Sequence, residues 1–189
     1  TATVALLRLA SQRPGCAFHF VSTLSVCTTA PRTGGPVAEV DMLPHLERLP
    51  FGYAQSKCVA EHLVLTARQR GLAATVIRPG MLLGAADTGI ANTHDFLSRF
   101  FKGCIELGCA PDLDWSLEAL PVDVARRAIV GLGTAQPIVH LQHPRPRHLR
   151  ECLLWLNLYG HPVEFRPYAD WLEALQQAPG TALQPLRPF

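Results

Sequence analysis

Apolar residues recur at helical spacing over residues 2–10 (ATVALLRLA), and the pattern stops near the turn Arg13-Pro14-Gly15. Residues 17–26 (AFHFVSTLSV) change character. Aromatic and β-branched residues dominate there, which suits a buried strand. Periodicity then fades over residues 27–50, among prolines, Gly34-Gly35 and acids. This is a long excursion, of the kind that loops over active sites make. Residues 52–70 restore the helical period. Val59, Ala60, Leu63, Val64 and Ala67 form the apolar stripe, and Gly71 stands where a C′ glycine belongs. Residues 72–83 (LAATVIRPGMLL) are almost continuously apolar, as in parallel strands covered on both faces, with Pro79-Gly80 breaking the strand at its carboxyl end. The order helix, strand, loop, helix, strand predicts a parallel sheet with right-handed crossovers.

The second half is less regular. Residues 95–107 predict a helix with Asn92 or Thr93 as N-cap, although Gly103 weakens the pattern. A helix follows through Leu132, with Asp123 as its capping residue. Residues 137–141 and 162–167 read as short strands, and 149–159 and 169–177 as helices. Such a mixture after a parallel sheet predicts a smaller α+β subdomain. The Pro-rich end after Ala178 reads as a frayed tail or linker.

Composition narrows the function. Of 189 residues, 48% are hydrophobic and 17% charged, which suits one well-buried globular domain or part of one. The formal net charge is +2 and no Lys/Arg run appears, so the sequence shows no electrostatic footprint for nucleic acid or an anionic membrane. No apolar stretch approaches the roughly 20 residues of a membrane span. The six cysteines form no C-x-x-C and no zinc-finger spacing with histidines. They read as buried free thiols in a reducing, cytoplasmic compartment. The eight histidines are scattered, and His45, His143 and His148, in Pro- or Arg-rich loops, read as surface residues rather than ligands, so no metal site is expected. The chain opens at Thr1 inside an apolar-periodic segment, as a piece of a longer polypeptide would.

The candidate chemistry is a pair, Tyr53 and Lys57, with Thr23 some thirty residues before the tyrosine. Residues four apart share a helix face. A lysine ammonium beside a phenol favours the phenolate and makes the phenol a better proton carrier near neutral pH. Carbonyl reduction needs such a group, because a proton must reach oxygen while a hydride reaches carbon. Thr23 and Pro79-Gly80 both lie at predicted strand ends, and Tyr53 opens the intervening helix. Ligands of open α/β sheets bind outside the carboxyl ends of the strands. Ser22 and Ser25 stay rivals to Thr23, because spacing alone does not separate them. Arg126-Arg127 reads as a solvated helix face, and Trp115, Trp155 and Trp171 as packing residues.

The segments HFVSTLSV (19–26), YAQSKCVAE (53–61) and VIRPGMLLG (76–84) resemble extended short-chain dehydrogenase/reductases. Three more, NTHDFLSRFFKGC (92–104), PVDVARRAIV (121–130) and WLNLYGHPVE (155–164), narrow the resemblance to thioester reductase domains. Such domains end some nonribosomal peptide synthetases, polyketide synthases, aminoadipate reductases and carboxylic acid reductases. The resemblance implies a partial Rossmann-type doubly wound parallel sheet with a smaller C-terminal α+β subdomain. The expected division is a Rossmann part at 1–90 with the Thr/Tyr/Lys site, a mostly substrate-binding subdomain at 91–178, and a tail at 179–189.

By the same resemblance, Thr23, Tyr53 and Lys57 are the catalytic residues, and Lys57 also holds the nicotinamide ribose. Pro79, Gly80 and Met81 match the segment that passes the nicotinamide. NADPH is the implied cofactor, rather than NADH. The implied substrate is an acyl or peptidyl thioester on the phosphopantetheine of a carrier protein domain upstream in the same polypeptide. The product is an aldehyde, or an alcohol after a second reduction. One departure is large: the family's G-x-x-G-x-x-G turn, which cradles the cofactor pyrophosphate, is absent from the sequence. The chain alone is therefore expected to bind NADPH poorly. Two other readings stay open. One is an extended reductase, epimerase or fatty acyl-CoA reductase acting on a free small molecule, and the other a non-catalytic Rossmann scaffold or cofactor sensor.

Overall fold

The computed structural model describes residues 2–28, 37–39 and 46–186. In chain order the elements are α1 (Ala2–Ser11), β1 (Phe18–Val21), α2 (Gly52–Gln69), β2 (Ala74–Pro79), β3 (Met81–Leu83), α3 (Phe96–Leu107), β4 (Cys109–Pro111), β5 (Ser116–Leu117), β6 (Ala119–Pro121), α4 (Val122–Gly131), β7 (Ile138–Leu141), β8 (Arg147–His148), α5 (Leu149–Leu158), β9 (Glu164–Arg166) and α6 (Tyr168–Gln177). They form two compact units, one of Thr1–Gly80 with Val124–Gln142, the other of Met81–Asp123 with His143–Phe189. The division differs from the contiguous one expected at residue 90. It falls at Gly80, and residues 124–142 return to the first unit because β7 pairs with β2.

In the first unit, β1, β2 and β7 form a parallel sheet in the order β1-β2-β7. The central strand β2 is buried at all six positions, which accounts for its apolar sequence. Leu7 of α1 and Val64 of α2 pack with Ala74, Val76 and Ile138 of the sheet. Arg68 fastens the end of α2 to the sheet by donating to the carbonyls of Ala74 (2.5 Å), Thr134 (2.6 Å) and Ala135 (2.8 Å). Two expectations need correction here. The strand expected over 17–26 stops at Val21, and Leu24–Cys27 turns into a short 3-10 helix. The apolar run 72–83 is two strands, β2 and β3, separated at Gly80.

The second unit contains the parallel pairs β3–β6 and β4–β9 and the antiparallel pair β5–β8. Leu97, Phe100 and Cys104 of α3, Leu149 and Leu153 of α5, and Trp171 and Leu175 of α6 share one core. Asp95, not Asn92 or Thr93, caps α3: its carboxylate accepts from the Ser98 N–H at 2.7 Å. Asp123 lies in the first turn of α4 and accepts from the Ala86 N–H at 2.8 Å.

The expected tail is fastened as far as Leu183, which is 2% exposed and belongs to the core of this unit. The Ala182 N–H donates to Glu106 Oε2 at 2.7 Å. Leu183 lies against Gly103 of α3. A Cβ built there would collide with the leucine side chain and sit 3.0 Å from its backbone nitrogen. That contact explains a glycine in the middle of a helix. Gly103→Ala gains up to about 1 kcal/mol of helix propensity but overpacks the contact. A net loss of roughly 1–2 kcal/mol is expected, read as a lower thermal midpoint. An unchanged or raised midpoint would show that the leucine moves aside freely.

None of the six cysteines is in a disulfide, and burial pushes the Cys104 thiol up to about 12. Among the described residues no helix is long and apolar enough to cross a membrane, and no three His, Cys, Asp or Glu side chains group as metal ligands.

Candidate active site

The three strands of the first unit end on one edge, with Val21 opposite Ile77 and Pro79 opposite Leu141. Thr23 follows β1 in extended conformation (φ −159°) and caps the 3-10 helix Leu24–Cys27. Its Oγ1 accepts from the Ser25 N–H at 3.2 Å, and its hydroxyl donates to Ser25 Oγ at 3.1 Å. A threonine here therefore serves both the local turn and the strand end. Ser22, the other rival, has a buried Oγ without a partner.

Tyr53 stands in the first turn of α2 and is 57% exposed. Lys57 lies one turn further on. Its Nζ is 6.0 Å from the Tyr53 ring centre and 5.3 Å from that of Phe20, and it donates to the Val21 carbonyl at 3.0 Å. The lysine thus bridges the start of α2 to the end of β1, two residues before Thr23. An ammonium has three donors, and one of them goes to Val21.

Pro79 ends β2, and the Gly80 N–H continues the ladder to the Leu141 carbonyl at 3.0 Å. Met81 opens β3 and packs against the core of the second unit. The segment Pro79-Gly80-Met81 is accordingly divided between the two units.

Sequence reasoning missed a buried ion pair in the same unit. Glu61 of α2 and Arg78 of β2 are both 0% exposed. Arg78 Nη2 donates to Glu61 Oε2 at 2.7 Å, and Nε lies 3.1 and 3.2 Å from the two carboxylate oxygens. Nη1 reaches Cys27 Sγ at 3.7 Å and lies 3.3 Å from His140 Nε2. Burial opposes the Arg78 charge, but the bonds and charge of Glu61 outweigh it and hold the group above the ordinary arginine value. Burial also raises the Cys27 thiol. The available signal was a lone arginine in an apolar strand and a lone glutamate on the buried side of a helix.

Burial, and then the Arg78 charge, lower the pKa of His140 from 6.5. The folded state thus favours neutral imidazole. That contribution to stability is fully present above the ordinary value and is lost as pH falls through the lowered one. Between about pH 7.5 and 5.5, the thermal midpoint should fall more in the wild type than in His140→Asn. Parallel declines would remove His140 from the cause.

The second unit holds a cavity of about 230 Å³ lined by Phe96, Phe100, Trp115, Tyr168 and Trp171 among others. Trp115 and Trp171 also pack in the core there, whereas Trp155 is 42% exposed.

Known proteins resemble this chain in sequence and fold. Residues 1–129 match the family described as Male sterility protein. The chain is 34% identical to the L-2-aminoadipate reductase large subunit of Candida glabrata over an alignment of 195 positions, gaps included, that takes in 93% of this chain and 14% of that protein. It is 37% identical to the isonitrile lipopeptide synthase of Streptomyces coeruleorubidus over 180 residues, 93% of this chain and 12% of that protein. The terminal R domain from the myxalamid PKS-NRPS biosynthetic pathway superposes with a TM-score of 0.84 at 37% identity, over 93% of this chain and 45% of that one. A thiolation-reductase di-domain from an archaeal non-ribosomal peptide synthetase shares the fold, with a TM-score of 0.78 at 22% identity, over 96% of this chain and 41% of that one. The chain thus spans a small part of these curated relatives and less than half of these two solved chains. With residues 1–129 matched over more than half its length, the chain belongs to the Male sterility protein family.

Proposed function

We propose that this chain carries the proton-transfer site for NADPH-dependent reductive release of an acyl or peptidyl thioester from a carrier protein. The observation that carries this reading is Lys57, placed between the Tyr53 ring and the Val21 carbonyl at the carboxyl edge of the sheet. The relatives support the substrate class, because they include an aminoadipate reductase and a lipopeptide synthase, and one fold relative pairs a thiolation domain with its reductase. Six cysteines without a disulfide suit a reducing cytoplasm.

The residues present fit the nicotinamide end of the cofactor. Lys57 has donors to offer a ribose hydroxyl, and the backbone of Pro79 and Gly80, with Met81, would border the ring. No G-x-x-G-x-x-G turn for the pyrophosphate occurs among the 189 residues. When bound, the reduced nicotinamide would supply the hydride that the thioester carbonyl carbon needs. The Tyr53 hydroxyl gives its proton to the carbonyl oxygen, activated by the Lys57 ammonium 6.0 Å from its ring centre. Thr23 turns its hydroxyl from Ser25 to donate a hydrogen bond to that oxygen. The resulting hemithioacetal loses the pantetheine thiol, and an aldehyde leaves. A second reduction at the same site would give the alcohol. No covalent acyl-enzyme is needed.

The test is turnover of an acyl-pantetheine thioester by the full-length protein with NADPH. Loss of NADPH absorbance matched by aldehyde is the expected result. Failure with the thioester but turnover of a free ketone or sugar nucleotide would replace this reading with a free-substrate reductase.

A further inference from the structure

We infer that the Arg78–Glu61 pair positions the reaction's proton-handling groups, one buried guanidinium fixing the segments that carry Thr23, Tyr53–Lys57 and Pro79–Gly80. The inference rests on the reductive-release reading. Glu61 lies one helical turn beyond Lys57 on α2, and Arg78 immediately precedes Pro79. Cys27 closes the 3-10 helix that Thr23 caps. His140 neighbours Leu141, the acceptor of the Gly80 N–H. Each of these partners is therefore within a turn or a few residues of a group the reaction uses. Nε and Nη2 hold Glu61, and Nη1 holds Cys27 and faces His140. A guanidinium directs its donors in one rigid plane, so a shift of any one segment breaks a bond to another.

Stability alone gives weak reason for such a pair. Buried ion pairs lose heavily in desolvation, and apolar residues of similar volume often replace them without loss. Lysine would keep the charge but lose the fork. Geometry is a stronger reason, because misplacing a reacting group by about 1 Å can cost on the order of a hundredfold in rate. Arg78 and Glu61 are positioning residues here, since neither is exposed to touch substrate.

The experiment uses the full-length protein and compares wild type, the double variant Glu61→Leu/Arg78→Met, and Arg78→Lys. Folding is followed by circular dichroism and thermal unfolding, and turnover by NADPH oxidation with an acyl-pantetheine thioester. The double variant should fold with a near-native midpoint. Its kcat should fall by about tenfold or more while KM changes less than about twofold. Arg78→Lys should lose kcat in the same sense. Native kcat in either folded variant would overturn the proposal. So would a loss confined to KM, or failure of both variants to fold, which would make the pair a requirement of the core instead. A wild type that reduces no thioester at all would sink the functional reading, and with it the ground for this role.

Discussion

Tyr53→Phe is expected to slow thioester reduction by the full-length protein by about 10²–10⁴-fold, the range that a positioned general acid contributes. The substitution isolates one proton. Tyr53 is 57% exposed, so losing the hydroxyl strands no buried partner. The ring stays beside Lys57, and the backbone carbonyl of Tyr53 still accepts from the Ser56 hydroxyl at 2.7 Å. The thermal midpoint should therefore hold, with stability changed by no more than about 0.5 kcal/mol. The KM for an acyl-pantetheine thioester should also hold, because the proton moves only in the transition state. Initial rates of NADPH oxidation check this directly. A Tyr53→Phe enzyme with more than half the native kcat would end the assignment of Tyr53 as the proton donor. Lys57→Met is a less clean probe, because it also removes the bond to the Val21 carbonyl.

Glu61→Leu alone should destabilise the fold by about 3–5 kcal/mol, as removing one partner of a buried pair does. Arg78 would keep its charge at 0% exposure with its main acceptor gone. Its remaining neighbours, the Cys27 thiol and a neutral His140, cannot replace a carboxylate. Adding Arg78→Met should recover most of that loss, since the stranded charge leaves with the arginine. Denaturant unfolding of the two singles and the double gives the coupling energy. Additive losses would mean that the two side chains do not depend on each other and would contradict the geometry.

The sequence made much of the first unit legible. Near-continuous apolarity marked β2, helical spacing marked α2 with Gly71 at its end, and the two together implied the parallel sheet that forms. It also put Thr23, the start of α2 and Pro79-Gly80 on one edge, where they lie. Less was legible where local chemistry had several solutions. Asn92, Thr93 and Asp95 are all capping types within four residues, and only the backbone trajectory selects Asp95. The strand over 17–26 was drawn too long because Ser22-Thr23 can extend a strand or start a turn, and here they start one. Strands of two or three residues, such as β5 and β8, are too short to show a period. Arg78 and Glu61 were hidden for a different reason. Each reads locally as a polar interruption, and only folding shows that they meet across 17 positions.

The contact of Leu183 with Gly103 bears on how this domain should be cut and grafted. Composition invites a boundary after Ala178, where prolines gather. A module trimmed there would lose its plug. The notch that Gly103 leaves in α3 would open to water beside Cys104 and Phe100, and the module would expose a sticky groove. A graft of this domain should therefore carry the segment through Leu183 and treat it as part of the folded unit, not as spacer.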